Sequence, residues 1–453
     1  MNRKLLIGSI VSAVLILAAT TAAEVSVTVY NSNLGVIRDT RELEFVKGSG
    51  KISFQDVASQ IDPTSVGFEL VDKGRAVTIL EQNYAYDLVS PEKIYQKYID
   101  KGIDVVDKQG NIYRGTLLTA SGGSIVLKED SGKIKVILTS QIVNVNFPDL
   151  PEGLITRPTL FWLYNSNFDG RARCHVSYQT TGIGWNAEYV AILSEDEKSL
   201  GLTGWASINN QSGATYDDAT LKLIAGDIHR AQAPRRDMRL AMPKAADMVM
   251  AEGAGFEEKE FFEYHMYTLP RRATIADREI KQITLFDPAA TEVTKEYFYE
   301  PDSNPAKVRV ELNFINSKAA GLGLPLPAGR TRVFKADSDG SMVLLGEDRI
   351  DHTPRDEKVK LTIGYAFDIV GEHKVTDIER ISSRVEETSF AIEVRNRKKE
   401  DISVKVIKSL YGDWDILSTN IEYTKKDAGT VEFVLPVKAN SKTELNFKVR
   451  FNH

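Results

Sequence analysis

Apolar and polar residues alternate along most of this chain with a period of two residues. Such alternation turns one face of a β-strand toward a core and the other toward water. Turn signals such as Asp169-Gly170 and Asp339-Gly340 separate the alternating segments. The pattern predicts an all-β, multidomain protein of immunoglobulin-like β-sandwiches. The clearest alternating segments are Val25–Val29, Val308–Phe314, Phe390–Val394, Ile402–Val406, Val431–Leu435 and Leu445–Phe451.

Residues 89–150 follow a different plan. Ser90 and Pro91 predict the start of a short helix, with Ser90 as the cap and Pro91 in the first turn. One helix followed by five short strands is typical of a small Sm-like or SH3-like barrel. The five predicted strands are Ile103–Val106, Ile112–Thr119, Ser124–Lys128, Lys133–Leu138 and Ile142–Phe147.

A chain of 453 residues is too long for one hydrophobic core. We expect four domains: an N-terminal β domain at 24–88, the small barrel at 89–150, a β-sandwich at 155–305 and a C-terminal β-sandwich at 306–453. The sandwich at 155–305 is interrupted at 231–260 by a segment rich in Ala, Met, Pro and charge. A flexible insertion is the simpler interpretation. A methionine-lined segment that a partner orders is the alternative.

The first 23 residues have the features of a secretory signal peptide. Arg3 and Lys4 precede the apolar run Leu5–Leu17, and small residues follow up to Ala23. The run is shorter than the ~20 apolar residues that span a bilayer, so cleavage near Ala23 is favoured over a retained anchor. We therefore expect an extracytoplasmic protein, periplasmic or secreted, with no membrane span after cleavage.

Charge and cysteine content narrow the functional classes. The formal net charge of −6 argues against a broad nucleic-acid surface. The single cysteine, Cys174, excludes an intramolecular disulfide. Because Cys174 alternates with Ala172 and Val176, we expect it to be a small buried apolar residue.

No pattern predicts a metal, a cofactor or a catalytic centre. Asp337-Ser338-Asp339-Gly340 has a misplaced glycine for a calcium loop and no closing glutamate, so a β-turn is favoured. Gly48–Ser53 lacks the spacing and the helix of a phosphate-binding loop. We therefore predict no enzyme, and no catalytic, cofactor-binding or metal-binding residue. The six histidines also lack metal-ligand spacing: His175, His229, His265, His352, His373 and His453.

Aromatic residues leave one alternative open. Trp185, Ala187 and Tyr189 share one strand face, which favours burial in a sandwich core. An exposed ring platform for a sugar or peptide is the other interpretation, and the sequence does not decide whether Trp185 or Trp205 is exposed. The remaining candidate rings are Trp162, Tyr164 and Trp414.

Several motifs stand in a fixed order along the chain: Gly182–Tyr189, Asn209–Ala219, Leu221–Gly226, Tyr264–Tyr267 and Lys281–Phe286. Together they resemble the bacterial domain-of-unknown-function family 4139, which is related to the mucoidy inhibitor A-like proteins. The resemblance covers roughly residues 155–453. It implies no established activity and no catalytic residue, and the long coiled coil of many mucoidy-inhibitor relatives has no counterpart here.

These observations favour an exported, non-enzymatic cell-envelope protein that binds protein or polysaccharide partners. A carbohydrate-active enzyme or sugar-binding module is the first alternative, since rings and carboxylates are available. Nucleic-acid binding through the barrel is least favoured, because the loop Ala120–Gly123 lacks the acidic and asparagine ligands of Sm-like proteins. The specific partner and the oligomeric state do not follow from the sequence.

Overall fold

The computed structural model describes residues 24–151, 154–226, 228–229 and 256–452. These residues form β-strands throughout, with one α-helix and one 3-10 turn between them. The all-β prediction is therefore confirmed. The predicted signal peptide at 1–23, with its apolar run, lies outside the described residues, as does most of the predicted insertion at 231–260.

The chain divides into two compact units, and the four-domain division stays a prediction. The first unit consists of the described residues within Met1–Val27, Val36–Thr180 and Tyr216–Ala219. The second unit consists of the described residues within Thr28–Gly35, Thr181–Thr215 and Thr220–His453. Three strands are therefore divided between the units: β1 (Glu24–Tyr30), β2 (Leu34–Phe45) and β15 (Tyr216–Ala225).

The N-terminal part of the first unit is built on antiparallel pairs. The central strand β11 pairs with β3 on one side and β5 on the other, and β12 pairs with β4. Alternate side chains of β11 and β12 meet in a core that contains Phe45, Tyr164 and Cys174. The strands are β3 (Gly48–Gln55), β4 (Ile61–Leu70), β5 (Val77–Ala85), β11 (Thr159–Ser166) and β12 (Gly170–Thr180).

The predicted helix and five strands between residues 89 and 150 are confirmed. Helix α1 (Pro91–Lys97) begins at Ser90, whose Oγ accepts a hydrogen bond from the Lys93 amide at 3.3 Å. The sheet has the order β10-β6-β7-β8-β9. Its strands are β6 (Gly102–Asp107), β7 (Ile112–Ser121), β8 (Ser124–Lys128), β9 (Ile134–Leu138) and, after a 3-10 turn at Thr139–Gln141, β10 (Ile142–Asn146).

This small sheet is not a closed barrel. Its edge strands, β9 and β10, do not pair with each other in the described ladder. Ile94 and Tyr95 of α1 pack against the apolar side, which is formed by residues such as Val105 and Leu117. The helix covers part of this apolar side. The prediction of a small closed Sm-like or SH3-like barrel is therefore wrong, because the sheet is open at its two edge strands.

The second unit contains a five-stranded sheet of order β19-β14-β13-β22-β23. Strands β13 and β22 run parallel, unlike the antiparallel neighbours that are usual in an immunoglobulin-like sandwich. The parallel pair is possible because more than a hundred residues of chain separate the two strands, so that no hairpin constrains them. The strands are β13 (Ile183–Leu193), β14 (Ser199–Asn210), β19 (Glu279–Glu292), β22 (Gly329–Ala336) and β23 (Met342–Ile350).

A nine-stranded sheet forms the C-terminal sandwich, in the order β27-β30-β25-β24-β21-β20-β26-β29-β28. Tyr299, Phe433 and Val449 are among its fully buried core residues. The strands are β20 (Thr294–Tyr299), β21 (Lys307–Ile315), β24 (Lys358–Arg380), β25 (Val385–Asn396), β26 (Ile402–Ser409), β27 (Asp413–Thr419), β28 (Tyr423–Asp427), β29 (Thr430–Val437) and β30 (Ser441–Asn452).

Regular structure resumes inside the interval predicted as a flexible insertion. Strand β16 (Glu257–Phe261) forms a hairpin with β17 (Tyr264–Thr268), and β17 also pairs with the second-unit residues of β15. The sequence pattern did not predict β16, because its residues are mostly charged and show no apolar alternation. Backbone hydrogen bonds to β17, more than an apolar face, hold this strand in place. The short strand β18 (Ala273–Ile275) follows.

Candidate functional site

Three of the four tryptophans are packing residues. Trp162, Trp185 and Trp414 are each at most 6% exposed. Their indole N–H groups donate to acceptors inside the protein, which satisfies the only polar group of each ring. The acceptors are Gln82 Oε1 for Trp162 (2.8 Å), the Ile224 carbonyl for Trp185 (3.0 Å) and the Ala428 carbonyl for Trp414 (2.8 Å).

Trp205 lies on the opposite face of the same five-stranded sheet. It pairs across the ladder with Glu188, which is three residues from Trp185 and therefore points the other way. Trp205 is half-buried. One line of residues crosses all five strands on this face, in the order Thr284, Trp205, Glu188, Arg330 and Arg349. We call this line the Trp205 row.

Charged groups beside the indole are fixed by one another. Glu188 accepts hydrogen bonds from Arg330 Nε at 3.0 Å and from Arg332 Nη1 at 3.1 Å. Arg332 Nε also donates to Glu347 Oε1 at 3.2 Å. The Arg330 side chain keeps 43% of its surface exposed, so it retains N–H donors toward solvent. The row therefore presents a ring, fixed donors and fixed acceptors on one sheet face.

A second polar group lines a cavity of about 210 Å³ in the second unit. Glu197 Oε1 accepts from Lys335 Nζ at 2.7 Å, and its other oxygen pairs with Lys295. Partial burial alone would raise the pKa of Glu197, but the hydrogen bonds from the two lysines lower it to about 2. Lys398 also lines this cavity and donates to the Tyr297 hydroxyl at 3.0 Å. Each of these charges has a structural partner.

Three of the histidines that the structure describes have contacts inside the protein. His265 Nδ1 lies 2.8 Å from Glu258 Oε1, and the Ala328 amide donates to His352 Nδ1 at 3.1 Å. Both rings line one cavity of about 60 Å³. The sequence could not predict this, because the two histidines are far apart along the chain. Burial lowers the pKa of His373, whose ring stacks on Phe390. In the described residues, no three His, Cys, Asp or Glu side chains are placed to hold a metal ion.

Cys174 is buried, as predicted. Burial, followed by the charge of Asp72, raises the pKa of its thiol to about 12. A thiol with such a pKa carries almost no thiolate at neutral pH, and the thiolate is the reactive form. Cys174 is therefore a packing residue.

Asn210, in the segment Asn209–Ala219, holds a loop together. Asn210 is fully buried, and its Nδ2 lies within hydrogen-bond distance of three carbonyl oxygens, of which the closest belongs to Ala214 at 2.9 Å. Its Oδ1 accepts from the Ser212 hydroxyl at 2.8 Å. The Asn210 side chain of this motif thus fixes the backbone geometry of the loop.

The described residues contain no helix with the length and apolarity that a bilayer span requires. A search of the curated proteins finds no match to this chain. The model of a family described as "Domain of unknown function (DUF4139)" matches residues 174–453, which is more than half of the sequence and lies within the region of the resemblance. Its matched region includes the Trp205 row and the Asn210 loop. The chain belongs to the DUF4139 family.

Proposed function

We propose that this DUF4139 protein is an exported, non-enzymatic protein of the cell envelope that binds a polysaccharide on the Trp205 row. The observation that carries the proposal is the position of Trp205. Its ring lies on the sheet face opposite to the core, directly beside Glu188 and two strands from Arg330. The other three tryptophans are buried.

The chemistry of the row suits a sugar. The face of an indole ring is apolar and flat, and it can cover the C–H face of a pyranose. Carboxylate oxygens accept from sugar hydroxyls, while guanidinium groups donate to them. Because Glu188, Arg330 and Arg332 are fixed by mutual hydrogen bonds, these groups lose little conformational entropy when a ligand binds.

The same contacts support binding over hydrolysis. A glycosidase uses two carboxylates, one to donate a proton and one to act as base or nucleophile. Two carboxylates on this sheet face, Glu188 and Glu347, both accept hydrogen bonds from Arg332. Guanidinium donors already occupy oxygens of both carboxylates, which leaves less of each carboxylate available to act on a sugar. The carbohydrate-active enzyme is therefore the second candidate.

Location in the envelope rests on the N-terminal segment. Arg3, Lys4 and the following apolar run supply the features of an export signal. Expression of the full chain in a bacterial host, followed by fractionation and intact-mass measurement, tests this part. We expect an extracytoplasmic product that begins near Glu24. A full-length product retained in the cytoplasm would contradict export.

Binding is tested by co-sedimentation of the purified chain with peptidoglycan sacculi, and by affinity electrophoresis in gels that contain a neutral glucan or a uronic-acid polymer. We expect retardation or sedimentation by at least one polymer. Trp205→Ala should reduce the affinity by about tenfold or more, as expected for an aromatic anchor. Acrylamide quenching of tryptophan emission should weaken when the polymer is added, because it covers the Trp205 ring.

Phe262→Ser is the matched control, because Phe262 is 85% exposed and lies in the turn between β16 and β17. It should bind each polymer like the wild type. Equal binding by wild type and Trp205→Ala, or no binding to any of the three polymers, would overturn the proposal. Release of reducing ends from a polymer would favour the enzyme instead.

A further inference from the structure

Strand β24 contains a large bulge opposite β21. Arg309 pairs with Tyr365, and Lys307 pairs with Val370. An advance of two residues along β21 therefore corresponds to an advance of five residues along β24. The extra residues of β24 do not pair with β21. Bulges of this kind change the direction in which a strand points its side chains. We call residues 365–370 the Phe367 bulge.

The bulge presents a phenylalanine ring to solvent. Phe367 is 96% exposed, the largest exposed fraction among the large apolar residues that the structure describes. Two residues later, Ile369 is 1% exposed and belongs to the core of the C-terminal sandwich. The Asp368 carbonyl accepts a hydrogen bond from the Arg397 amide at 2.8 Å. The ring is thus held outward by an anchored backbone.

A concavity opens directly beside this ring. It has a volume of about 390 Å³, and Phe367 itself forms part of its wall. The other walls include Ala306, Tyr365 and Val370, with Lys307 at the rim. Lys307 is exposed, and its Nζ lies 5.4 Å from the centre of the Tyr365 ring. We call it the Lys307 cavity; its mainly apolar walls and its volume suit a phenyl ring.

We propose that two copies of this chain associate about a two-fold axis, each placing Phe367 in the Lys307 cavity of the other. A protruding ring and a cavity able to receive it lie side by side on one patch of the surface. A two-fold interface uses the same patch on both copies, so it requires this self-complementarity. A different partner would need only one of the two features.

Charges beside the ring and the cavity fit the same arrangement. Asp368 is exposed and adjacent to the ring, whereas Lys307 is exposed at the rim of the cavity. When the rings exchange, each Asp368 approaches the Lys307 of the other copy. The two-fold axis creates this contact twice, and opposite charges across an interface fix its register.

The dimer is expected to be weak. Two exchanged rings bury about 150–250 Å² each, whereas specific interfaces bury about 1,200–2,000 Å² in total. Neighbouring strand residues must supply the remainder. We therefore expect a dissociation constant on the order of 10 µM. The association goes beyond the proposed sugar binding and does not depend on it.

Sedimentation velocity and light scattering of the chain without its signal segment test the dimer, from about 1 to about 300 µM, a range that brackets the expected constant. The mass should rise from one chain to two with concentration. Phe367→Ser should raise the dissociation constant by about 30-fold or more. Lys307→Glu and Asp368→Lys should each weaken association, and the double charge exchange should restore it. A general folding defect would not produce that recovery.

Tyr411→Ser is the matched control, since Tyr411 is 82% exposed in the same sandwich but far from β24 in sequence. It should dimerise like the wild type. Circular dichroism and thermal melting show whether each variant is folded. A wild type that stays monomeric over the whole range overturns the proposal. So does a folded Phe367→Ser variant that dimerises equally well, or a double exchange that fails to recover association.

Discussion

Asn210 Nδ2 lies 3.2 Å from the carbonyl oxygen of Ile275, although 65 residues separate the two along the chain. Asn210 is the last residue of β14, and Ile275 is the last residue of β18. One fully buried amide therefore joins the ends of two strands. A buried polar group without a hydrogen-bond partner lowers the stability of the fold. The Asn210 amide and the Ile275 carbonyl therefore each need the other as a partner.

The same arrangement occurs at two other strand ends of the second unit. Asn396, the last residue of β25, donates to the Glu400 carbonyl at 2.8 Å. Asn316, directly after β21, donates to the Pro354 carbonyl at 2.8 Å. Both asparagines are fully buried. Because asparagine has donors and an acceptor on one short side chain, it can satisfy several loop backbone groups at once.

Replacement of Asn210 by alanine should lower the free energy of unfolding by about 3 kcal/mol, because several buried backbone groups lose their partner. Asn209→Ala is the control, since Asn209 is exposed on the neighbouring position. Its effect should stay within about 0.5 kcal/mol. Urea unfolding followed by circular dichroism measures both. Equal effects of the two variants would contradict the role assigned to Asn210.

Lys408 is a buried cation, with 8% of its side chain exposed, and it pairs with Asp302. Its Nζ also lies 5.1 Å from the centre of the Phe390 ring. Asp302→Ala should destabilise the protein by about 3–5 kcal/mol, because it leaves an ammonium group unpaired in an apolar site.

Lys408→Met added to Asp302→Ala should recover most of that loss, since methionine fills the same space without a charge. Thermal unfolding of the single and double variants gives the comparison. A double variant as unstable as Asp302→Ala alone would show that the unpaired ammonium is not the cause.

Glu197 should make stability depend on pH. Its pKa is about 2 in the folded protein, against an ordinary value of 4.5, because the lysine hydrogen bonds outweigh burial. A depressed pKa stabilises the fold above about pH 4.5, and this contribution is lost as the pH falls toward 2. With 32% of the side chain exposed, solvent screening reduces it to about 1 kcal/mol.

The measurement is urea unfolding of wild type and Glu197→Gln at several pH values between 2 and 7. The wild type should be more stable at pH 6, and the two curves should converge near pH 2. Glu195→Gln is the control, because Glu195 is exposed in the same turn. A difference between wild type and Glu197→Gln that does not change with pH would contradict the assignment.

The sequence predicted local structure well. The helix cap at Ser90 and the five strands that follow it appear within about two residues of their expected positions. Burial of Cys174 and Trp185 also followed from alternation alone. These features depend on neighbours one to four residues away, which is the distance over which capping and strand alternation act.

Alternation determined which side chains share a strand face, because that depends only on the two-residue repeat of a β-strand. It could not determine which strands become neighbours, because ladder pairing joins residues that are far apart in the chain. The parallel pairing of β13 with β22, the line from Thr284 through Trp205 to Arg330, and the bulge that exposes Phe367 were therefore decided only by the tertiary structure.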